Sequence, residues 1–410
     1  MTDPIPPCRS CGSDKLQNVL SLGQMPLANA TLTADQLREP EPAYPLDLAF
    51  CPRCSLVQLT TSVPPQKLFD TYLYFSAYSQ TMLQESQLLA ERLIESRKLN
   101  SQSLVVELGS NDGYQLQYFV TKRIPVLGID PAKNIVQVAE AKGVPTLCSY
   151  FGRDLAVELR TKNKLADVII AKNVLAHVPD LNGFVAGIGV LLKKDGLGVI
   201  EVPYLKDLLD KSEFDTIYHE HLSYFSVTAL NELFRRHGLA LKEVERIPLH
   251  GGSLRLYVAR DGEPAESVRS LLRDEEKWGV TRLETYRSFA GQVAHLKESL
   301  KALLKSLGDK GGRIAAYGAA AKGTILLNYC GIGPDILDFV VDLNPHKQGR
   351  YMPGVRVPIT SPSQLLEKMP DYTLILVWNI ADEVIRQQSE YIHRGGRFII
   401  PLPQPKIVGE

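Results

Sequence analysis

From residue 103 onward strand-like and helix-like runs alternate, and at residue 239 the alternation breaks. Apolar runs at residues 103–108, 125–130, 166–171 and 196–202 have the length of buried strands, and helical segments separate them. Such alternation forces a parallel, doubly wound sheet, because each crossover must bring the chain back to the same end. After a further helix over 228–237, two strand-like runs follow one another directly at 239–247 and Ser253–Ala259, which predicts an antiparallel hairpin closing the sheet. Upstream, Met82, Leu83, Leu88, Leu89, Leu93 and Ile94 recur at nearly helical spacing, so an amphipathic helix over 78–99 leads into this unit. Downstream, residues 264–307 are charged and helical, with Leu296, Leu300, Leu303 and Leu304, as expected of a connector. Beyond it, strands at 313–317, 338–342, 372–378 and 397–401, with a glycine- and alanine-rich turn at 318–323 and a helix from Ile380, predict a second, smaller doubly wound α/β domain.

Six cysteines are present, and four form two pairs, Cys8/Cys11 and Cys51/Cys54, each a C-x2-C turn. Two such knuckles place four thiolates around one tetrahedral zinc and leave no open position, so the metal is expected to be structural. Cys148 and Cys330 stand alone and are expected to be buried small apolar residues. Lys and Arg together number 46, as do Asp and Glu, so there is no overall basic field to hold nucleic acid or anionic lipid. No stretch approaches the roughly 18 apolar residues of a membrane span, and the N-terminus lacks the apolar core of a signal peptide. A cytoplasmic, monomeric protein with reduced thiols, binding neither nucleic acid nor membrane, is the expectation.

Glu107, Gly109, Asn111 and Gly113 lie where the first strand turns into a helix, the place where glycines admit a ligand and helix N–H groups face it. Asn111 spoils the dinucleotide pattern G-x-G-x-x-G. Asp130, followed by Pro131, closes the second strand and is placed to accept both hydroxyls of a ribose. Acids at both strand ends, together with the closing hairpin, favour S-adenosylmethionine in a class I methyltransferase domain; Asn173 and Val174, after the third long strand, complete the expected cofactor wall.

Following the strand that ends near Pro203 comes the run Tyr218, His219, Glu220 and His221. The alternating histidines offer a metal only two ligands, and the cysteines already meet the need for zinc, so acid–base work is the stronger reading. A histidine near neutral pH can remove a proton, and an adjacent carboxylate can orient the ring. His177, beyond the strand at 166–171, can bring a second imidazole to the same ligand.

The two knuckles, the tyrosine-rich segment around Tyr72 and Tyr74, the Glu107–Gly113 turn, the Tyr218–His221 run and the turn at 317–323 occur here in an order that resembles the sugar C-methyltransferases of nucleotide-linked deoxysugar pathways. The resemblance spans essentially the whole chain. It implies a zinc-binding domain over residues 1–76, a methyltransferase domain over 77–262, and a helical connector with a Rossmann-like domain over 263–410 that closes a substrate cleft. It also implies methylation at C3 of a thymidine-diphosphate-linked 4-keto sugar. His221 would be the general base, with Tyr218, Glu220, His177 and Tyr72 as partners. Substrate contacts are expected from Tyr74, and a diphosphate anchor from Lys322, Lys347, Arg350 or the loop from His250 to Ser253, since backbone N–H groups and cations favour phosphate. The residues themselves leave open an O- or N-methyltransferase, and more distantly a zinc-ribbon RNA methyltransferase.

Overall fold

The computed structural model describes residues 6–69 and 80–409, and three sheets organise them. The first is antiparallel, with Gln17–Pro26 beside Ala43–Phe50, then Val57–Leu59, then the two-residue strand Ser223–Tyr224. That last strand belongs by sequence to the middle of the chain, and no run of apolar residues in it announces a strand. It forms because Val57 and Gln58 offer an open edge to which Tyr224 and Ser223 hydrogen-bond.

The second sheet has seven strands in the order Ala240–Ile247, Ser253–Ala259, Leu192–Pro203, Ala166–Lys172, Val105–Leu108, Val126–Asp130 and Thr146–Cys148. The last five are mutually parallel, and the hairpin is antiparallel, its second strand inserted beside Leu192–Pro203. Helices on both faces explain why Val105, Val106 and Leu108 are buried without alternation. Sheet order reverses at Val105–Leu108, and a ligand crevice forms beyond the carboxyl ends at such a point.

The third sheet repeats the theme with Ile359–Thr360, Val340–Val341, Ile314–Tyr317, Tyr372–Ile375 and Arg397–Ile400 in parallel, and an antiparallel edge strand Lys406–Val408. Between the second and third sheets, the expected connector is two helices, Glu266–Trp278 and Leu283–Asp309. Tyr286, Phe289, Val293, Leu296, Leu300, Leu304 and Leu307 make one buried stripe along the longer helix. This stripe joins a single core with strands of the first and third sheets, and Phe50 stacks on Tyr286 at 4.4 Å. The connector is thus the packing surface that fixes the outer units to each other. Cys330 is buried as expected, but Cys148 is exposed: the edge strand that carries it turns its side chain outward, with Sγ 3.5 Å from the Pro131 carbonyl.

Candidate active site

A cavity of about 630 Å³ lies beyond the carboxyl ends of the central strands, within the size range of small-molecule sites. Gly109, Asn111, Asp130, Pro131, Asn173 and Val174 line one end of it. Gly109 has φ +65°, and a Cβ there would meet Val174 at 3.0 Å, so the turn is closed to larger residues. Asn111 and Asn173 also take left-handed backbone, and their N–H groups donate to the Asp130 carboxylate at 2.9 Å and the Glu201 carbonyl at 2.8 Å. The Asp130 carboxylate accepts the backbone N–H of Asn111 and of Ala132, each at 2.9 Å, which aims it at the cavity with lone pairs to spare. Burial pushes its pKa up while those two N–H groups pull it down. Tyr150, Phe151 and Phe184 supply an apolar wall nearby. A carboxylate for ribose hydroxyls beside an apolar slot for a base fits an adenosyl group.

Glu107 and Gly113 are not on that wall. Glu107 is wholly buried beneath it, with neither carboxyl oxygen hydrogen-bonded among the described residues, and burial raises its pKa while Lys172 pulls it down. Lys172, which does reach the cavity, donates to Ser86 Oγ at 3.0 Å and Gln115 Oε1 at 3.3 Å and sits 3.8 Å from Glu201. Gly113, at φ +78°, packs against Val144 and shapes the turn.

At the other end are His177, Tyr218 and His221. The segment carrying them is pinned on both sides: Leu222 N–H donates to the Ala176 carbonyl at 2.8 Å, and Leu59 N–H to the Leu222 carbonyl at 3.0 Å. His221 Nδ1 is 2.8 Å from the Thr216 carbonyl. A carbonyl only accepts, so Nδ1 carries the proton and Nε2 presents its lone pair, which takes the Tyr218 hydroxyl proton at 2.9 Å. Burial and, less, Lys322 lower the His221 pKa to about 4 against the pull of the Thr216 carbonyl, so the ring is neutral near pH 7. The His177 ring stands edge-on to His221 at 4.9 Å and is held well below the usual range by burial and by His221. His219 faces away, toward the Pro45 carbonyl at 3.3 Å and the edge of Tyr44. Glu220 lies behind the wall, accepting from Asn29 Nδ2 at 2.6 Å.

The third side comes from the C-terminal unit: Ala320, Ala321, Lys322 and Lys347. Lys322 Nζ donates to Asn379 Oδ1 at 2.7 Å and lies 4.6 Å over the Trp378 ring, while Lys347 Nζ donates to the Ala319 carbonyl at 2.7 Å. Arg350 and Ser253 are elsewhere, on the Thr31 carbonyl at 3.4 Å and the Leu249 carbonyl at 3.0 Å respectively. Tyr72, Tyr74 and the His250 side chain lie outside the described residues. Sequence reasoning missed Asn29, Glu213, Lys172 and the aromatic wall. None of them carried a sequence signal: Glu213 stands in the polar stretch Asp210-Lys211-Ser212 ahead of Phe214, as a surface acid would.

The four knuckle cysteines form a separate centre. Cys8 and Cys54 sulfurs are 3.5 Å apart, as are those of Cys11 and Cys51, and all four lie within 4.8 Å of one another. Zinc–sulfur bonds of about 2.3 Å imply tetrahedral edges of about 3.8 Å, which this arrangement fits. The Cys51 sulfur beside it, together with burial, pushes the Cys8 thiol up to about 12, and a central dication would relieve that conflict. Among the described residues no other histidine, cysteine or carboxylate group is so clustered. Asn182 and Arg236, from helices flanking the central sheet, donate to the Arg9 carbonyl at 2.8 Å and the Ser10 carbonyl at 2.9 Å, which fastens the knuckle to the catalytic unit.

Three family descriptions match in chain order: a zinc binding domain over residues 8–69, a methyltransferase domain over 80–244, and a C-methyltransferase C-terminal domain over 248–403. C-methyltransferase NovU of Streptomyces niveus is 38% identical over 408 residues, an alignment covering 99% of this chain and 97% of that one. Among solved structures, the PH0226 protein of Pyrococcus horikoshii OT3 aligns with TM-score 0.38 and 15% identity, over 48% of this chain and 98% of its own. Magnesium protoporphyrin IX methyltransferase of Synechocystis PCC 6803, with bound S-adenosylmethionine, aligns with TM-score 0.34 and 14% identity, over 44% and 79%. With a zinc-binding N-terminus, an S-adenosylmethionine-dependent methyltransferase core and a C-methyltransferase C-terminal domain, the chain belongs to the C-methyltransferase family that its motifs resemble.

Proposed function

We propose that this enzyme methylates C3 of a nucleotide-diphosphate-linked 4-keto-deoxysugar, in the thymidine-diphosphate form that the motif resemblance implies, with His221 as general base. The supporting observation is the fixed tautomer of His221, whose Nε2 lone pair is held at the cavity wall by a proton on Nδ1. Carbon becomes nucleophilic only when a proton beside a carbonyl is removed, so a base at C3 and donors at the C4 oxygen are the minimum equipment. S-Adenosylmethionine, bound along Gly109, Asn111, Asp130, Pro131, Asn173 and Val174, supplies an electrophilic methyl group.

The proton leaving C3 ends on His221 Nε2. Tyr218 now occupies that lone pair, and its hydroxyl either yields the place or passes its own proton to Nε2 while taking the substrate's. The Thr216 carbonyl then carries the imidazolium through its Nδ1–H bond. His177, buried and neutral, and Tyr72 are the further donors we assign to this end. Glu220 orients the run from behind through Asn29, and Lys347 is the cation on the wall for the diphosphate. Lys322, enclosed by Asn379, Trp378 and the acids described below, faces inward and contributes to the sugar end instead. The units that supply these residues are divided near residues 76 and 262.

The test is loss of deuterium from C3 of the labelled sugar nucleotide in the absence of methyl donor, followed by NMR location of the methyl group in the product. His221→Ala and His221→Asn should cut turnover roughly 10²–10⁴-fold while cofactor binding persists. Methyl on oxygen or nitrogen, with no exchange at C3, would refute carbon transfer.

A further inference from the structure

Behind the histidine end, two acids face one cation. Glu213 precedes and Asp215 lies within the short turn Phe214–Thr216, whose Thr216 carbonyl holds His221, and both carboxyls interact with Lys322 across the interface with the C-terminal unit. The two acids are not equivalent. Asp215, wholly buried with Oδ1 unpartnered among the described residues, is pushed up to about 7 by burial, but Lys322, the Trp378 Nε1–H it accepts at 2.7 Å and the backbone N–H groups at its own turn pull it back toward the anion. Glu213, 3% exposed, makes no side-chain hydrogen bond among the described residues, and its Oε1 is buried without a partner. Glu213 lines the cavity that Lys322, Thr216, Tyr218 and His221 share. Of the other charges facing it, Lys211 donates to the Gly251 carbonyl, and Asp207 is occupied by Arg246 at 2.6 Å. Lys322 is the cation both acids share, and of the two only Asp215 has hydrogen-bond donors that favour the anion. Burial first, then Asp215 and Asp207, push the Glu213 pKa up to about 8 against the pull of Lys211 and Lys322.

We propose that Glu213, carrying its proton, is a catalytic residue that donates a hydrogen bond to the substrate oxygen on which charge develops when His221 takes the neighbouring proton. This rests on the reading of the reaction as deprotonation beside a carbonyl. The C3–H bond breaks, its proton goes to His221, and its electron pair forms the C3–C4 double bond as the carbonyl pair moves to oxygen. The Glu213 O–H bond does not break; a donor that keeps its proton stabilises the enolate at no cost in reorganisation.

The experiment follows C3–H exchange into D2O by NMR, with a thymidine-diphosphate 4-keto-6-deoxysugar and no methyl donor, for wild type, Glu213→Ala and Glu213→Gln. Loss of one such donor slows the reaction about 10²–10³-fold, so the alanine variant should fall by that factor, with sugar-nucleotide affinity by calorimetry little changed. The glutamine variant, whose amide still donates, should recover most of the rate. Wild-type exchange should decline as pH rises through about 8, where the proton leaves Glu213, and the glutamine variant should show no such decline. Exchange at the wild-type rate in Glu213→Ala, or an alkaline decline that persists in Glu213→Gln, would overturn the assignment. The second criterion stands even if the alanine variant does not fold. Absence of exchange in the wild type would instead sink the deprotonation chemistry itself, and the role of Glu213 with it.

Discussion

Replacing Gly251 by alanine is the most informative small change available, because its whole effect is computable from two positions. Gly251 has φ +95°, and a Cβ there would stand 2.6 Å from both carboxyl oxygens of Glu213. Carbon–oxygen contacts close no further than about 3.3 Å, so the carboxyl must withdraw by about 0.7 Å. Left-handed backbone adds about 1–2 kcal/mol of strain for a residue with a Cβ, which lowers the thermal midpoint by a few degrees. Stability therefore changes modestly, since the clash meets the far end of a flexible side chain, and the larger cost falls on whatever Glu213 does. Misplacement approaching 1 Å at a reacting group costs up to about 10²-fold, so C3–H exchange in Gly251→Ala should slow by roughly 10- to 100-fold. A double-mutant cycle isolates the cause: in a Glu213→Ala background the glycine substitution should have little further effect on exchange. The same loss in both backgrounds, or none in either, would refute the reasoning.

Elemental analysis should find one zinc per chain, and its removal by chelator or by Cys51→Ser should lower thermal stability and abolish turnover; full activity in metal-free protein would contradict a structural centre. Asp130→Ala removes the carboxylate proposed to accept two ribose hydroxyls, and calorimetry should show cofactor affinity lower by at least about 10-fold, with the sugar nucleotide still bound. Asn29→Ala leaves Glu220 Oε1 without its donor at 2.6 Å, so turnover should fall by about 10-fold with cofactor affinity unchanged, and Asn29→Asp should be worse because it sets a second anion against Glu220. Equal rates for the two Asn29 variants would show that the carboxylate is not what the residue serves.

Much of the frame was legible because its signals are local. Strand lengths, the glycine turn at Gly109 and the two uninterrupted runs before Ala259 each depend on neighbours in sequence and mark six strands of the central sheet, while the three-residue edge strand Thr146–Cys148 is too short to announce itself. The knuckle spacing likewise sufficed for Cys8, Cys11, Cys51 and Cys54. What escaped depends on tertiary partners. Ser223 and Tyr224 are a strand only because Val57 presents an edge to them, and Cys148 is exposed only because its strand ends a sheet. Glu107 looked like a ligand contact and is buried under the turn, whereas Asn29, from a loop without motif, reaches the catalytic run from the N-terminal unit. The run of Tyr218 to His221 was visible as chemistry, but its division, with Tyr218 and His221 inward, His219 toward Pro45 and Glu220 toward Asn29, is a property of how three units meet.

The pairing of Val57 with Tyr224 also sets an order on synthesis. A chain emerging from the ribosome can gather its cysteine knuckles once Cys54 is out, yet the edge at Val57 stays open until the whole parallel core up to Tyr224 has been made. During that interval the nascent N-terminal unit carries an unpaired strand able to pair with another copy. The same pairing lies three residues from His221, so sealing the first sheet also fixes the segment to which we assign the base.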